Sequence, residues 1–115
     1  MRRMARGRMM SNVPAATVIV TNPTHLAIAI EYQDGMQAPK VLAKGAHKTA
    51  ERIIELAKSH DIPVVQNIPL ARAIFKRTEV DQEISSDLYL AMAEVLAYVY
   101  RLRGKTPTPT SVTQN

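Results

Sequence analysis

The sequence contains no cysteine and no tryptophan, and aromatic residues make up only 4% of its 115 residues. The lack of cysteine excludes disulfide bonds and thiolate metal ligands, as is typical of proteins in a reducing compartment. A hydrophobic core therefore has to be built from Ala, Val, Ile, Leu and Met. No apolar stretch is long enough to span a bilayer, and the first residues lack the apolar run of a signal peptide. We expect a soluble chain, which could still be a piece of a larger protein.

The residues that are present have the proportions of an ordinary globular domain, with 46% hydrophobic and 22% charged residues. A chain of this length forms one domain with one core. The net charge is +5, and the first residues include Arg2, Arg3, Arg6 and Arg8. Such a basic segment suits binding to nucleic acid, an anionic membrane surface, or solubility alone.

Short apolar runs predict four strands. The first run is rich in β-branched residues, as expected of a strand that is buried on both faces of a sheet. The turn signals Asn22-Pro23 and Asp34-Gly35 separate the first strand from the second and the second from the third. We predict strands at residues 17–21, 26–32, 40–44 and 64–65.

Apolar residues at helical spacing predict the helices. Asp61 and Pro63 stop one helix, Asn67 can cap the next, which begins near Pro69, and Gly104 ends the last. We predict a helix at residues 47–60, a second that begins near residue 69 and includes residue 74, and a last one that begins at residue 86 or 87 and ends before Gly104. Residues 1–12 are predicted to be a weak helix or a disordered arm.

These elements alternate around one sheet, which indicates an α/β or α+β domain. We predict a small mixed sheet of about four strands surrounded by about four helices, with a proline-containing turn between the first two strands. Ala38 and Pro39 look exposed in a polar turn region, and Gly45 closes the third strand. Residues 105–115 contain the run TPTPT, have no means of burying themselves, and are predicted to be a disordered tail.

The dipeptide Asn22-Pro23 is the candidate for chemistry. Because proline has no N–H, its nitrogen cannot attack the Asn22 side chain, and deamidation by that route is closed. The side-chain amide nitrogen of Asn22 can instead attack its own main-chain carbonyl, form a succinimide and release Pro23 as a secondary amine. Strands that hold both ends of the turn could fix the attack geometry or strain the bond. On its own, however, the dipeptide far more often marks only a turn.

Neighbouring side chains favour cleavage. His25 can accept a proton from the attacking amide or donate one to the leaving nitrogen, and Thr24 can hydrogen-bond the attacked carbonyl. His25, His47 and His60 have no partners at metal-ligand spacing, so we expect no metal and no cofactor. The sequence has no phosphate-binding loop and no nucleophile elbow. We therefore expect a single intramolecular turnover and not an enzyme.

Four blocks of the sequence resemble one protein family and follow the family's order. Residues 18–25 (VIVTNPTH) resemble the cleavage motif of the flagellar export-switch family FlhB and its injectisome relatives YscU and SpaS. Residues 38–45 (APKVLAKG), 69–73 (PLARA) and 93–100 (AEVLAYVY) resemble three further motifs of this family. The resemblance covers residues 9–103, and its second and fourth blocks favour the flagellar branch.

The resemblance implies an export-gate component of the flagellar type III secretion apparatus, at the cytoplasmic face of the bacterial inner membrane. Residues 1–13 would be a basic membrane-proximal linker or helix that follows a transmembrane part outside this chain, where arginines meet anionic headgroups. Residues 14–104 would be the self-cleaving cytoplasmic domain, followed by the tail at 105–115.

The same resemblance assigns the roles at the cut. Asn22 would attack, Pro23 would leave, and Thr24 and His25 would assist. Cleavage would permit the switch from rod and hook substrates to filament proteins. Leu26 stands where many relatives carry an aromatic residue, which affects packing and not the proposed chemistry.

The resemblance also implies partners, namely other export-gate proteins and exported flagellar substrates. The substrates would dock at Ala38, Pro39, Ala93 and Leu96, although the helical periodicity places Leu96 in the core. Because residues 18–20 should be buried and paired within a sheet, we expect the two fragments to stay associated after the cut.

Other classes of function stay open from the residues alone. The basic arm suggests a small nucleic-acid-binding domain, but the single Phe and the four Tyr residues do not interleave with the basic run, so no nucleic acid is expected. A small-molecule hydrolase would need a nucleophile and a base that the sequence does not display. Within the family, an injectisome homologue with the same switch role is the alternative.

Overall fold

The structure is a computed structural model that describes residues 2–23 and 25–104. The predicted tail at 105–115 lies outside the described residues. Two short 3-10 helices lie at Val13–Ala15 and Ser86–Leu88. The strands are β1 (Val18–Asn22), β2 (Leu26–Glu31), β3 (Lys40–Ala46) and β4 (Val64–Gln66). The helices are α1 (Arg2–Asn12), α2 (Lys48–Ser59), α3 (Ile68–Arg77) and α4 (Tyr89–Leu102).

The strands form one mixed sheet in the order β3-β2-β1-β4. Strand β2 pairs antiparallel with β1 and with β3, whereas β1 and β4 are parallel. Strand β1 is therefore an interior strand that is hydrogen-bonded on both edges. Within the described residues, four strands and four α-helices confirm the predicted α/β (α+β) class and its mixed sheet.

Both faces of the sheet are covered by helices. Val18 and Val20 point towards α3 and α4, whereas Ile19 points towards α2, and all three side chains are fully buried. This burial on two faces is what the β-branched run predicts. The sheet thus divides the core into two clusters. Helices contribute Leu70, Ala71, Ile74, Met92, Val95, Leu96 and Val99 to the first, and Ala50, Ile53 and Ala57 to the second, which Val13 also joins.

The end of β3 differs from the prediction, because Gly45 does not close the strand. Gly45 pairs with Ala27, and Ala46 continues the ladder opposite Leu26. A Cβ on Gly45 would lie 2.7 Å from the Cβ of Thr49 in the first turn of α2. Glycine at this position therefore permits α2 to begin directly above the end of β3.

The prediction that Ala38 and Pro39 are exposed is wrong. Both are buried, and Ala38 is only 1% exposed. The segment after α3 covers them: the Ile84 N–H donates to the Pro39 carbonyl oxygen at 2.9 Å, and the Val41 N–H donates to the Gln82 carbonyl oxygen at 2.9 Å. This segment also pairs with the outer edge of β3, which would otherwise present free hydrogen-bonding groups.

The predicted helix boundaries are confirmed where capping chemistry defines them. The Asn67 Oδ1 accepts a hydrogen bond from the Leu70 N–H at 3.2 Å, and Pro69 lies in the first turn of α3. Gly104 follows α4 with a φ of 73°, which favours glycine. Helix α2 follows His47, which adopts a positive φ of 53°.

Candidate functional site

Asn22 is the last residue of β1 and not part of a free turn. It pairs with Leu26 of β2, and only 7% of its surface is exposed, whereas Pro23 is exposed. Proline disfavours helical backbone at the residue before it, so Pro23 helps to keep Asn22 extended, as the strand requires. The bond between Asn22 and Pro23 therefore lies where a buried strand reaches the surface.

A main-chain hydrogen bond closes the turn after Asn22. The His25 N–H donates to the Asn22 carbonyl oxygen, with an N···O distance of 2.9 Å. This carbonyl is the group that the Asn22 side chain would attack. A donor at its oxygen polarises the carbonyl and stabilises the negative charge that attack would place there. The sequence assigned this donor role to Thr24, which lies outside the described residues.

The main chain around Asn22 is held from both edges of β1. On the β4 edge, the Thr21 carbonyl oxygen accepts a hydrogen bond from the Asn67 N–H at 3.0 Å. On the β2 edge, Asn22 itself pairs with Leu26. The backbone on which an intramolecular attack would take place is therefore fixed in position, which favours such reactions.

The structure brings His47 next to His25, which the sequence reasoning missed. The two rings meet edge to face, with centroids 6.1 Å apart and planes at 81°. The His47 N–H also donates to the His25 carbonyl oxygen at 3.0 Å. Because Leu26 pairs with Ala46 in the β2–β3 ladder, the residues just beyond this pair face each other. Antiparallel pairing of the second and third predicted strands was the available signal.

No further ligand set surrounds this histidine pair in the part of the chain that the structure describes. Within residues 2–23 and 25–104, no group of three or more His, Asp or Glu side chains could hold a metal ion. In the same residues, no helix combines the length and the apolar character that crossing a membrane requires.

Three of the four residues predicted to dock partners line one apolar groove. Pro39, Ala93 and Leu96 lie in its wall, and its volume is about 200 Å³. Ala93 is exposed, whereas Leu96 is 6% exposed and also belongs to the core, as its periodicity predicts. Ala38, the fourth residue, is buried and does not line the groove. The remaining lining residues are Tyr32, Gln37, Tyr89 and Met92.

The groove and the Asn22-Pro23 bond lie at opposite ends of the sheet. Leu26 begins β2 beside the bond, and Tyr32, just after the other end of β2, lines the groove. Extended residues at about 3.4 Å each place these two positions about 20 Å apart. Near the groove, burial raises the pKa of the Tyr100 phenol, and Asp34 and Tyr32 raise it further.

Comparison with known proteins places these features in one family. Residues 1–99 match the model described as the FlhB HrpN YscU SpaS family. A flagellar biosynthetic protein FlhB of Yersinia enterocolitica is 57% identical over 103 residues, which cover 89% of this chain. Its counterpart from Bacillus subtilis is 48% identical over 105 residues, or 90% of this chain. The chain spans 27% and 29% of the length of these two relatives.

Solved structures share the same architecture. The cytoplasmic domain of FlhB from Shewanella putrefaciens matches with a TM-score of 0.82 and 43% identity, covering 96% of this chain and 88% of that domain. An EscU C-terminal domain with an asparagine-to-alanine substitution matches with a TM-score of 0.76 and 37% identity, covering 81% of this chain and 94% of that domain.

Proposed function

Because the chain belongs to the FlhB HrpN YscU SpaS family, we propose that it is the switch domain of a flagellar export gate and cuts itself between Asn22 and Pro23. The observation that carries the proposal is the hydrogen bond from the His25 N–H to the Asn22 carbonyl oxygen. The reaction occurs once in each chain, so the domain is not an enzyme that acts on an external substrate.

The chemistry begins at the side chain of Asn22. Its amide nitrogen attacks the main-chain carbonyl carbon of the same residue, and a C–N bond forms while the carbonyl electrons move to oxygen. When this tetrahedral intermediate collapses, the C–N bond to Pro23 breaks. The amide nitrogen loses a proton and the Pro23 nitrogen gains one, which leaves a C-terminal succinimide and a new secondary amine.

Two features of the turn assist these steps. The His25 N–H stabilises the negative charge on the carbonyl oxygen as it develops. The exposed His25 imidazole carries the proton from the attacking amide to the leaving nitrogen, and Thr24 assists as the family motif implies. The paired strands supply the fixed geometry that a poor nucleophile such as an amide needs.

The two fragments stay together after the cut. The shorter fragment contains β1, which pairs with β2 on one edge and with β4 on the other. Val18, Ile19 and Val20 are fully buried, and burial of each side chain stabilises the assembly by about 1.5–3 kcal/mol. Cleavage therefore remodels the turn and leaves the fold in place.

At the level of the apparatus, this remodelling permits the change from rod and hook substrates to filament proteins. The domain works at the cytoplasmic face of the inner membrane, next to other export-gate proteins. Exported substrates dock in the groove lined by Pro39, Ala93 and Leu96, with the buried Ala38 next to Pro39 in the chain. The flagellar names of the relatives at 57% and 48% identity favour this branch over the injectisome.

Mass spectrometry of the denatured protein tests the cut. The wild type should give two fragments, one ending at Asn22 and one beginning at Pro23, because only an asparagine at this position supplies the attacking amide. The variant Asn22→Ala should stay intact. Gel filtration of the cut wild type without denaturant should give a single species.

Two outcomes would contradict the proposal. Equal cleavage of the wild type and Asn22→Ala would rule out attack by the asparagine side chain. A short fragment that elutes separately under native conditions would rule out the association of the two fragments. As a matched control, Asn67→Ala changes an asparagine of the neighbouring segment, keeps the main-chain N–H that binds Thr21, and should still be cut.

A further inference from the structure

His47 has a backbone conformation that its residue type does not favour. Its φ is 53° and its ψ is −116°, which lies outside the left-handed helical region that asparagine and aspartate can adopt. Glycine occupies this conformation without steric cost, whereas a residue with a Cβ is strained. Strain of this kind persists only where the surrounding structure enforces it.

Hydrogen bonds on both sides of His47 enforce the conformation. The His47 N–H donates to the His25 carbonyl oxygen at 3.0 Å, and the His47 carbonyl oxygen accepts from the Glu51 N–H at 3.0 Å. The first bond ties the residue to the candidate cleavage turn, and the second begins α2. The chain reversal between β3 and α2 is thereby anchored directly to His25.

The ring of His47 faces His25 and does not serve the helix. Within the described residues, the His47 side chain makes no capping hydrogen bond to the N-terminus of α2. Its ring lies instead edge to face against the His25 ring, with centroids 6.1 Å apart. This separation is within the range of favourable aromatic pairs. The contact limits the orientations that the exposed His25 imidazole can adopt.

We propose that His47 is a positioning residue for self-cleavage, because its ring holds the His25 imidazole in the orientation needed for proton transfer at the Asn22-Pro23 bond. This inference rests on the proposed function. It also gives the strained backbone a purpose. The hydrogen bonds of His47 impose a conformation in which its side chain is directed at His25. His47 itself exchanges no proton with the reacting atoms.

The experiment follows intact chain against time after synthesis of the full chain in a cell-free translation reaction. Three variants separate the ring from the backbone: His47→Gly removes both ring and strain, His47→Ala removes only the ring, and His47→Phe keeps a ring and the strain. Cleavage should slow about tenfold in the Gly and Ala variants, since misplacing a catalytic group costs up to about a hundredfold. The Phe variant should cleave within about twofold of the wild type, because an edge-to-face contact remains.

Two further readouts separate positioning from folding. His47→Gly should unfold at the same temperature as the wild type or at a higher one, because glycine relieves the strain, and it should nevertheless cleave slowly. In a His25→Ala background, His47→Gly should not slow cleavage further, because the two residues act through one imidazole.

Each contrary result overturns a distinct statement. If the wild type is not cut, the proposed function itself is wrong. If the wild type is cut and His47→Gly is cut at the same rate, only the role of His47 is wrong. Slow cleavage of His47→Phe, equal to that of His47→Gly, or a further loss in the His25→Ala background, would also overturn positioning through ring contact.

Discussion

Asn22 combines two constraints that act on the same backbone. As the last paired residue of β1 it is held by Leu26, and as the residue before Pro23 it is restricted to extended conformations. The two constraints agree, because the strand also requires an extended backbone. An attack by the side chain on its own carbonyl therefore starts from a main chain that has already lost most of its freedom, and this lowers the entropic part of the barrier.

Among the four glycines, Gly45 is the one at which an added side chain would have the least room. Replacement of Gly45 by alanine should lower the free energy of unfolding by about 1–3 kcal/mol, because the new Cβ meets the Cβ and the backbone of Thr49. Urea unfolding of Gly45→Ala and the wild type measures the difference.

Gly7 provides the control for Gly45. It lies in α1, and a Cβ there meets no atom of the described residues within 4 Å. Gly7→Ala should therefore leave stability unchanged or raise it by up to about 1 kcal/mol, since alanine favours helix. Equal stability of Gly45→Ala and the wild type would show that α2 can move away from β3 without cost.

The sequence predicted single residues well only where the cause was local. The cap at Asn67 and the end of the last helix at Gly104 follow from neighbouring residues. The burial of Ala38 and the contact between His25 and His47 do not. The first depends on a segment that follows α3, and the second on the register of the β2–β3 ladder. A local sequence pattern shows neither which later segment covers Ala38 nor how β2 and β3 are paired.

At the scale of the elements, apolar runs and periodicity predicted the four strands and the helices α2, α3 and α4. For residues 1–12, where the structure has α1, the sequence predicted either a weak helix or a disordered arm, and it did not predict the pairing irregularity inside the sheet. Ala29 pairs with Ala43, whereas Ile30 pairs with Val41, so β3 carries a bulge. The bulge allows Leu42 and Ala43 to join the same cluster. Without the bulge, successive side chains of β3 would alternate between the two faces of the sheet, and Leu42 and Ala43 would lie on opposite faces. The position of such a bulge depends on the partner strand and is not visible in β3 alone.

An ion pair joins the end of α3 to the 3-10 helix that precedes α4. The Arg77 Nη2 at the end of α3 contacts the Asp87 Oδ1 at 2.7 Å and the Ser85 Oγ at 3.2 Å, just before α4. Hydrogen bonds from Arg77 and then from Ser85 lower the pKa of the Asp87 carboxyl from 3.8 to about 2. The folded state therefore favours the ionised form of Asp87.

This preference predicts a pH dependence of stability. Because the folded pKa of Asp87 lies below the unfolded one, its contribution is fully present above pH 3.8 and is lost as the pH falls through about 2. Asp87→Asn should lower the melting temperature slightly at neutral pH, since both groups are exposed to water. The difference from the wild type should shrink as the pH falls below 3.8 and vanish below pH 2.

Glu94→Gln supplies the reference for that measurement, because it neutralises an exposed carboxylate on α4, the helix that follows Asp87. Its melting temperature should follow that of the wild type through the acid range. A difference between Asp87→Asn and the wild type that stays constant down to pH 2 would contradict a stabilising role of the ion pair.

At the scale of the whole molecule, the groove and the cut occupy opposite ends of the sheet. Because we propose that exported substrates dock in the groove, we predict that Ala93→Asp reduces export of flagellar proteins about tenfold, since an unpaired charge against an apolar partner costs at least about 1.4 kcal/mol. The same variant should still be cut between Asn22 and Pro23. Secretion by cells that produce the variant, with mass analysis of the domain, measures both effects.

Leu90→Asp is the matched control for Ala93→Asp. It places the same charge on α4 at a side chain that is 75% exposed and lies outside the residues that line the groove. Export should then stay near the wild-type level. Normal export by Ala93→Asp, or a loss of cleavage in that variant, would contradict separate docking and cutting sites.

The interior position of β1 has a mechanical consequence. Helix α1 leads through the 3-10 helix at Val13–Ala15 into β1, and the hydrogen bonds on both edges of β1 run across the strand. A force applied to α1 in the direction of β1 acts on all of these hydrogen bonds at once, in shear, instead of breaking them one at a time. Tension thus passes sideways into β2 and β4 before it reaches Asn22. If the bond after Asn22 is cut as proposed, the domain would still carry a load without an intact chain between its two parts.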